Sequence, residues 1–224
     1  MVHSVPRRGT RSRYHHGDLR NALTAEGLRL ARAGGPEAVV LREAARRAGV
    51  SATAAYRHFA NRRELLTEVR NRALAELARA VVMAVEACER TEPGELALAR
   101  LRAVAHAYLG FASAEPGLFG TAFHTGPPAD PASRTDPEAS PGSAGPDFSR
   151  TGAYRILGRV LDGLVESGRM PKERRPHAEF AAWTAIHGIA AMFVDGALRL
   201  FPEVEREAAV NLAVENGIRG LTAA

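Results

Sequence analysis

Apolar residues recur along the 224-residue chain at helical spacing, and no stretch alternates apolar and polar residues convincingly in the manner of a strand. The clearest run is Leu65, Leu66, Val69, Ala73, Leu77, Val81 and Val85, which predicts one long helix from about residue 62 to 89. It opens on Asn61 with Glu64 three residues later, a pattern resembling a capping box. Upstream, Leu19, Leu23 and Leu30 mark the inner face of a first helix, capped by Asp18 and stopped by Gly34 and Gly35, with Gly27 a mild weakness in its middle. A second helix over residues 42–48 stops at Gly49, and Ser51 caps a third that runs to about residue 59. Downstream the pattern predicts helices over 95–114, a short piece holding Leu118, Phe119 and Phe123, and then 148–167, 177–200 and 203–221, the last with Pro202 in its first turn. The expected fold is all-α, without internal repeats.

Residues 125–147 interrupt this pattern with six prolines, three glycines and three serines, and are expected to form a disordered loop. Charge divides the chain again. Residues 1–72 hold 15 arginines against 6 acidic residues, a net +9, whereas the remainder carries −4. A basic third on a mildly acidic body is the footprint of a nucleic-acid-binding module joined to something that does not bind nucleic acid. GC-rich coding explains arginine in place of lysine but not the clustering. Residues 1–13, with Arg7, Arg8, Arg11 and Arg13, read as a flexible basic arm. No apolar stretch follows those arginines, so a signal peptide is not expected. The longest helical run without a charge, Phe180 to Val194, spans 15 residues, short of the roughly 20 that cross a bilayer. With one cysteine, Cys88, no intramolecular disulfide can form. These features predict a cytoplasmic protein away from membranes.

Within "LREAARRAGVSATAAYRHF", residues 41–59, Ala44, Ala45 and Ala48 give a thin inner face, Gly49 makes a sharp turn and Val50 plugs the corner. Two short helices then cross closely and steeply, as in a helix-turn-helix whose second helix lies in the major groove. Together with "YHHGDLRNAL" before it and "ANRRELL" after it, the stretch resembles the DNA-binding domain of the TetR family of bacterial transcriptional repressors over about residues 14–70. By side-chain chemistry Tyr56 and His58 suit phosphate contacts, and Arg62 or Arg63 adds a cation beside a helix N-terminus; the matching family positions contact the DNA backbone. Phe59 reads as core. For base reading, Ala52 and Ala54 offer methyl groups to a thymine methyl, and Thr53 offers a methyl or a hydrogen bond. Arg42 matches a family position that reaches guanine, with a phosphate contact as the equal alternative. Arg11 and Arg13 either enter a minor groove or stay solvated. The candidate DNA-contacting set is Arg13, Arg42, Ser51, Ala52, Thr53, Ala54, Tyr56, His58, Arg62 and Arg63. This set and the helix pattern divide the chain into an arm (1–13), a DNA-binding domain (14–62) and a helical effector-binding and dimerisation domain (63–224).

Residues 177–201 are apolar most of the way round and so must be covered on two sides, one of them suited to a second subunit. The resemblance implies a homodimer built from the last two helices, with Ala185, Ile189, Phe193, Val210, Val214 and Ile218 as candidate interface residues. "WTAIHG", residues 183–188, further resembles the WHG-type C-terminal ligand-binding domain of that family. Tyr108, Phe111, Phe119, Phe123, Trp183 and His187 are candidates to line an effector pocket, and each serves equally well as plain core. His187 has no second ligand at i+3 or i+4, so a core histidine with one hydrogen-bond partner is expected in place of a metal site, and no cofactor is expected. No nucleophile elbow, HExxH, P-loop or dinucleotide fingerprint occurs, which argues against an enzyme. The expectation is a one-component regulator, a repressor that binds an inverted-repeat operator as a dimer and is released by a small hydrophobic or aromatic effector. The fourth helix is its lever, and a DNA-binding dimer without small-molecule control is the alternative.

Overall fold

The computed structural model describes residues 16–124 and 152–223. The arm with Arg11 and Arg13 and the proline-rich stretch 125–147 lie outside the described residues. Among the described residues the chain is all-α, with α1 (His16–Ala38), α2 (Leu41–Arg47), α3 (Ala52–Tyr56), α4 (Arg62–Glu86), α5 (Pro93–Ala114), α6 (Pro116–Phe123), α7 (Gly152–Glu166), α8 (Ala178–Val194) and α9 (Glu203–Thr222).

Local chemistry sets most of these boundaries. Asp18 lies inside α1, so it does not cap that helix. Regular α1 geometry ends at Gly34 and Gly35, where Gly35 takes φ +67°, before Pro36–Ala38 resumes as a short turn. Gly49, at φ +70°, turns the chain between α2 and α3 in a region that other residues rarely adopt. Ser51 Oγ accepts the Ala54 N–H at 3.2 Å and caps α3. Helix α3 is shorter than its sequence pattern suggested. The chain leaves it after Tyr56, and the N–H groups of His58 and Phe59 both close onto the Ala55 carbonyl. At the start of α4, Asn61 Oδ1 accepts the Glu64 N–H at 3.0 Å, while Glu64 Oε2 reaches back to the Ala60 N–H at 2.7 Å.

The long apolar stretch expected to be helical to residue 200 breaks instead at Val194. The backbone of Gly196 comes so close to Met192 that a Cβ there would sit 2.7 Å from the Met192 Cα. A short 3-10 turn, Ala197–Leu200, follows, and α9 starts after Pro202, which stands just before the helix. The Asp195-Gly196 pair was the stop signal that the hydrophobic run obscured.

Two hydrophobic cores form among the described residues. Leu23, Leu30, Ala31, Val39, Leu41, Ala44, Ala45, Ala55 and Phe59 make the N-terminal one with Leu65, Val69 and Ala73 of α4. Leu77 and Val81, the next two turns of α4, belong to the second core with α5, α7, α8 and α9. A second bridge was not legible in sequence. Leu118 and Ala122 of α6 complete the N-terminal core, while Phe119 points into the C-terminal one. This packing depends on Gly117, where a Cβ would lie 2.2 Å from the Ala31 carbonyl oxygen and 2.7 Å from that of Arg32. Gly27 allows a similar close approach of α1 to α4, with Val69 Cγ2 only 2.6 Å from the position a Cβ would take. Helix α9 is held on α5 by a two-pronged ion pair, Arg102 to Glu215 at 2.6 and 3.0 Å.

Candidate nucleic-acid interface and interdomain cleft

Helix α3 turns Ala55 inward and leaves Ala52, Thr53 and Tyr56 exposed, with Ser51 exposed at its start and Ala54 half-buried. Tyr56, a large aromatic residue, is 45% exposed on this face. Arg42, Arg57 and Arg63 are exposed around it. Arg46 and Arg47 also lie on α2, but both bond Glu43, at 2.7–2.8 Å. Their hydrogen bonds, Arg46's first, hold the Glu43 carboxyl down at about 2. Among the described residues Arg42 has no such carboxylate, so its cation stays available.

The end of α3 is braced by Arg20 of α1, which the motif reading passed over. Its Nη1 donates to the His58 carbonyl at 2.6 Å and pairs with Glu64 at 3.1 Å, and its guanidinium lies 4.3 Å from the centre of the Phe59 ring. One side chain thus ties α1, the end of α3 and the start of α4. Glu64 is held in its charged form first by the Ala60 N–H and then by Arg20. The single trace of this in the sequence was a lone arginine between Leu19 and Leu23. Arg62 turns away from the surface of α3. It donates to the carbonyls of Val39 at 2.8 Å and Pro36 at 2.6 Å and pairs with Glu37 at 3.2 Å. Half-buried His58 sits at the turn after α3, and exposed Arg63 lies beside the start of α4.

On the other side of α1, α6 and α8 bound a cleft of about 720 Å³. Its walls come from both cores: Arg32 to Glu37 from the end of α1 and its link to α2, Pro116 to His124 along α6, and His187, Ala191, Val194 and Asp195 from α8. Arg32 bridges the same corner, pairing with Glu76 of α4 at 2.6 Å and Glu115 at 3.3 Å.

Phe119, Phe123 and His187 line the cleft, and Tyr108 and Trp183 pack behind them against His187. Trp183 stacks on the imidazole at 4.6 Å and 16°, Phe123 meets it edge-on at 4.6 Å, and Phe119 lies 5.6 Å away. Tyr108 Oη and His187 Nδ1 are 2.8 Å apart. Burial pushes the Tyr108 phenol up, opposed by a hydrogen bond from Trp183, and burial pushes the His187 imidazole down. Both groups therefore stay neutral near pH 7. Phe111 is partly buried against both cores. The described residues contain no group of three His, Cys, Asp or Glu side chains arranged for a metal ion.

The expected interface residues separate into two sets. Phe193, Val214 and Ile218 are buried in the chain's own core, because α9 uses that face to pack on α5 and α8. Ala185 is exposed, and Ile189 and Val210 are half-buried. Ala185 and Gly217 line one shallow apolar crevice of about 70 Å³ along the seam of α8 and α9. Phe180 and Met192 of α8 and Leu212 of α9 are also exposed. Among the described residues no helix is long and apolar enough to cross a membrane.

Comparison with known proteins matches residues 23–69 to the family described as "Bacterial regulatory proteins, tetR family" and residues 101–215 to "Tetracyclin repressor-like, C-terminal domain". No curated protein matches the sequence. Among solved structures, a protein of unknown function from Rhodococcus sp. RHA1 shares 27% identity, with a TM-score of 0.70 over 94% of this chain and 99% of that one. A TetR-family transcriptional regulator from Pectobacterium atrosepticum superposes with a TM-score of 0.65 at 19% identity, over 96% of this chain and 99% of its own. RolR in complex with resorcinol does so at 0.55 and 15% identity, over 92% and 88% of the two chains.

Proposed function

Because the chain belongs to the TetR family, and is therefore a DNA-binding transcription regulator and not an enzyme, we propose that it is a cytoplasmic one-component repressor released from its operator by a small hydrophobic or aromatic effector. The observation that carries this reading is the cleft whose walls are shared between the two cores. A ligand there touches the end of α1 directly, so its binding energy differs between arrangements of the DNA-binding helices. Differential affinity of that kind is the sole way a ligand shifts such an equilibrium. "WTAIHG" supports a WHG-type ligand-binding domain, since Trp183 and His187 stack within the aromatic cluster beside this cleft. The RolR complex with resorcinol is an example of the same fold holding a small aromatic ligand.

On the DNA side, Tyr56, His58 and Arg63 grip phosphates and fix register, while Thr53, Ala52, Ala54 and Arg42 face base edges from the major groove. Ser51 holds α3 in place, and Arg13 extends the footprint from the arm. Arg62 contributes mainly by holding the link between α1 and α2. A homodimer sets two copies of α3 about 34–36 Å apart, which demands an inverted repeat. The small-residue face of α8 and α9, around Ala185 and Gly217, supports that assembly.

Selection of bound genomic fragments followed by footprinting should recover one inverted repeat, and a screen of aromatic compounds should release it. Protection of a single half-site, or binding that no compound alters, would refute the dimeric and the effector-controlled parts respectively. Tyr56→Phe should weaken all sequences alike, whereas Arg42→Ala should relax preference at one base pair by roughly 1–3 kcal/mol if it reads guanine.

A further inference from the structure

The polar chemistry inside the aromatic cluster narrows the ligand that the cleft accepts. Tyr108 is 3% exposed and its hydroxyl proton needs an acceptor, since a buried donor without one is costly. The Trp183 indole is a donor only, so it occupies a lone pair on the Tyr108 oxygen and cannot take the proton. His187 Nδ1, 2.8 Å away, is therefore the acceptor. An imidazole that is neutral and unprotonated at Nδ1 carries its one proton on Nε2. Among the described residues nothing accepts from that Nε2–H, and His187 is part of the cleft wall.

The rest of the cleft supplies flat apolar surface, with His124 at the end of α6, and among the described residues it holds no unpaired arginine or lysine. Phe119 and Phe123 line it beside His187. Arg32, also in the wall, is spent on Glu76 and Glu115. Glu37 and Asp195 stand at the rim, and α1 and α8 both direct their carbonyl ends toward it. These carboxylates and helix C-termini disfavour a carboxylate or phosphate ligand, opposed in the same wall by His124 and the N-terminal end of α6.

We propose that the effector is an uncharged aromatic compound carrying a carbonyl or hydroxyl oxygen, and that His187 reads this oxygen through Nε2–H, its tautomer set by Tyr108 and Trp183. The inference rests on the effector reading above and adds its chemical class and the residue that recognises it. Tyr108 acts as a positioning residue, because it reaches the ligand only through His187.

The test uses the full-length protein and four probes of one size: 2-acetonaphthone, 2-naphthol, 2-ethylnaphthalene and 2-naphthoate, with affinities measured by calorimetry. The ketone and the naphthol should bind on the order of tenfold tighter than the hydrocarbon, as expected when one buried donor gains its acceptor, and the naphthoate weakest of all. His187→Gln, which keeps an N–H donor, should retain much of the ketone's advantage over the hydrocarbon, and His187→Phe should abolish it. Circular dichroism checks that each variant folds, and the wild-type series decides the matter even if one does not. Equal binding of ketone and hydrocarbon, with both releasing DNA, would overturn the role of His187 while leaving effector control intact. Naphthoate binding as tight as the ketone would overturn the exclusion of anions. If no probe binds, the assigned class is wrong, and effector control is judged separately by the broader compound screen.

Discussion

Replacing Gly117 by alanine tests the seam between α6 and α1 most sharply, because local and tertiary arguments predict opposite signs. Judged by helix propensity alone, Gly→Ala inside α6 should stabilise by up to about 1 kcal/mol. The structure places the new methyl 2.2 Å from the Ala31 carbonyl oxygen, where ordinary contact begins at 3.4 Å. The obstacle is backbone, so α6 must retreat from α1 by more than 1 Å, pulling Leu118 and Ala122 from the N-terminal core. Overpacking of this kind costs roughly 1–3 kcal/mol, which outweighs the propensity gain. The melting temperature should fall by roughly 2–8 °C for a chain of this length. Gly110→Ala and Gly163→Ala are the controls, since a Cβ at either helical position meets nothing within 4 Å. Thermal unfolding followed by circular dichroism reads all three. A Gly117→Ala protein that melts at or above the temperature of the controls would refute the close seam.

Three further outcomes follow from the geometry. Arg20→Met should keep the fold but loosen the end of α3, weakening DNA binding several-fold for every sequence; an unchanged affinity in a gel-shift titration would remove Arg20 from the docking surface. Ala185→Glu should yield a folded monomer in sedimentation, whereas Val214→Glu should unfold the chain, because only the second side chain is buried in its own core; a persistent Ala185→Glu dimer would place the interface elsewhere. Burial lowers the His187 pKa, so the unfolded chain binds the extra proton first as pH falls. Its contribution is complete above the ordinary histidine value of about 6.5 and is lost as pH falls from there through the lowered folded value. Denaturation across that window should show a steeper loss for wild type than for His187→Gln, and parallel curves would deny that His187 is the group responsible.

Much of this was legible in the residues themselves. The punctuation around α2, α3 and α4 is local: Gly49, Ser51 and Asn61 act on backbone within four residues of themselves, so spacing located the two short helices and their turn, and the family resemblance identified them as a helix-turn-helix. The aromatic cluster was legible in part, since Trp183 and His187 lie one turn apart on α8 and had to share a face. Other assignments exceeded what periodicity can carry. Phe193, Val214 and Ile218 were read as facing a partner subunit, whereas they pack in the chain's own core, because an apolar stripe records that a face is covered and not by what. Arg62 looked like a phosphate ligand until the link between α1 and α2 was seen to place two carbonyls in its reach.

The sequence by itself determined the all-α class, the basic N-terminal third and the family, because these depend on composition, short-range capping and a contiguous motif. Only the tertiary structure decided that α6 belongs to both cores, that Arg20 braces the recognition helix from 38 residues away, and that His187 faces a cleft shared with α1. Each of these depends on a contact between residues far apart in the chain, and the energy of such a contact is set by where the backbones pass each other. At Gly117 that distance is small enough for a single methyl group to matter.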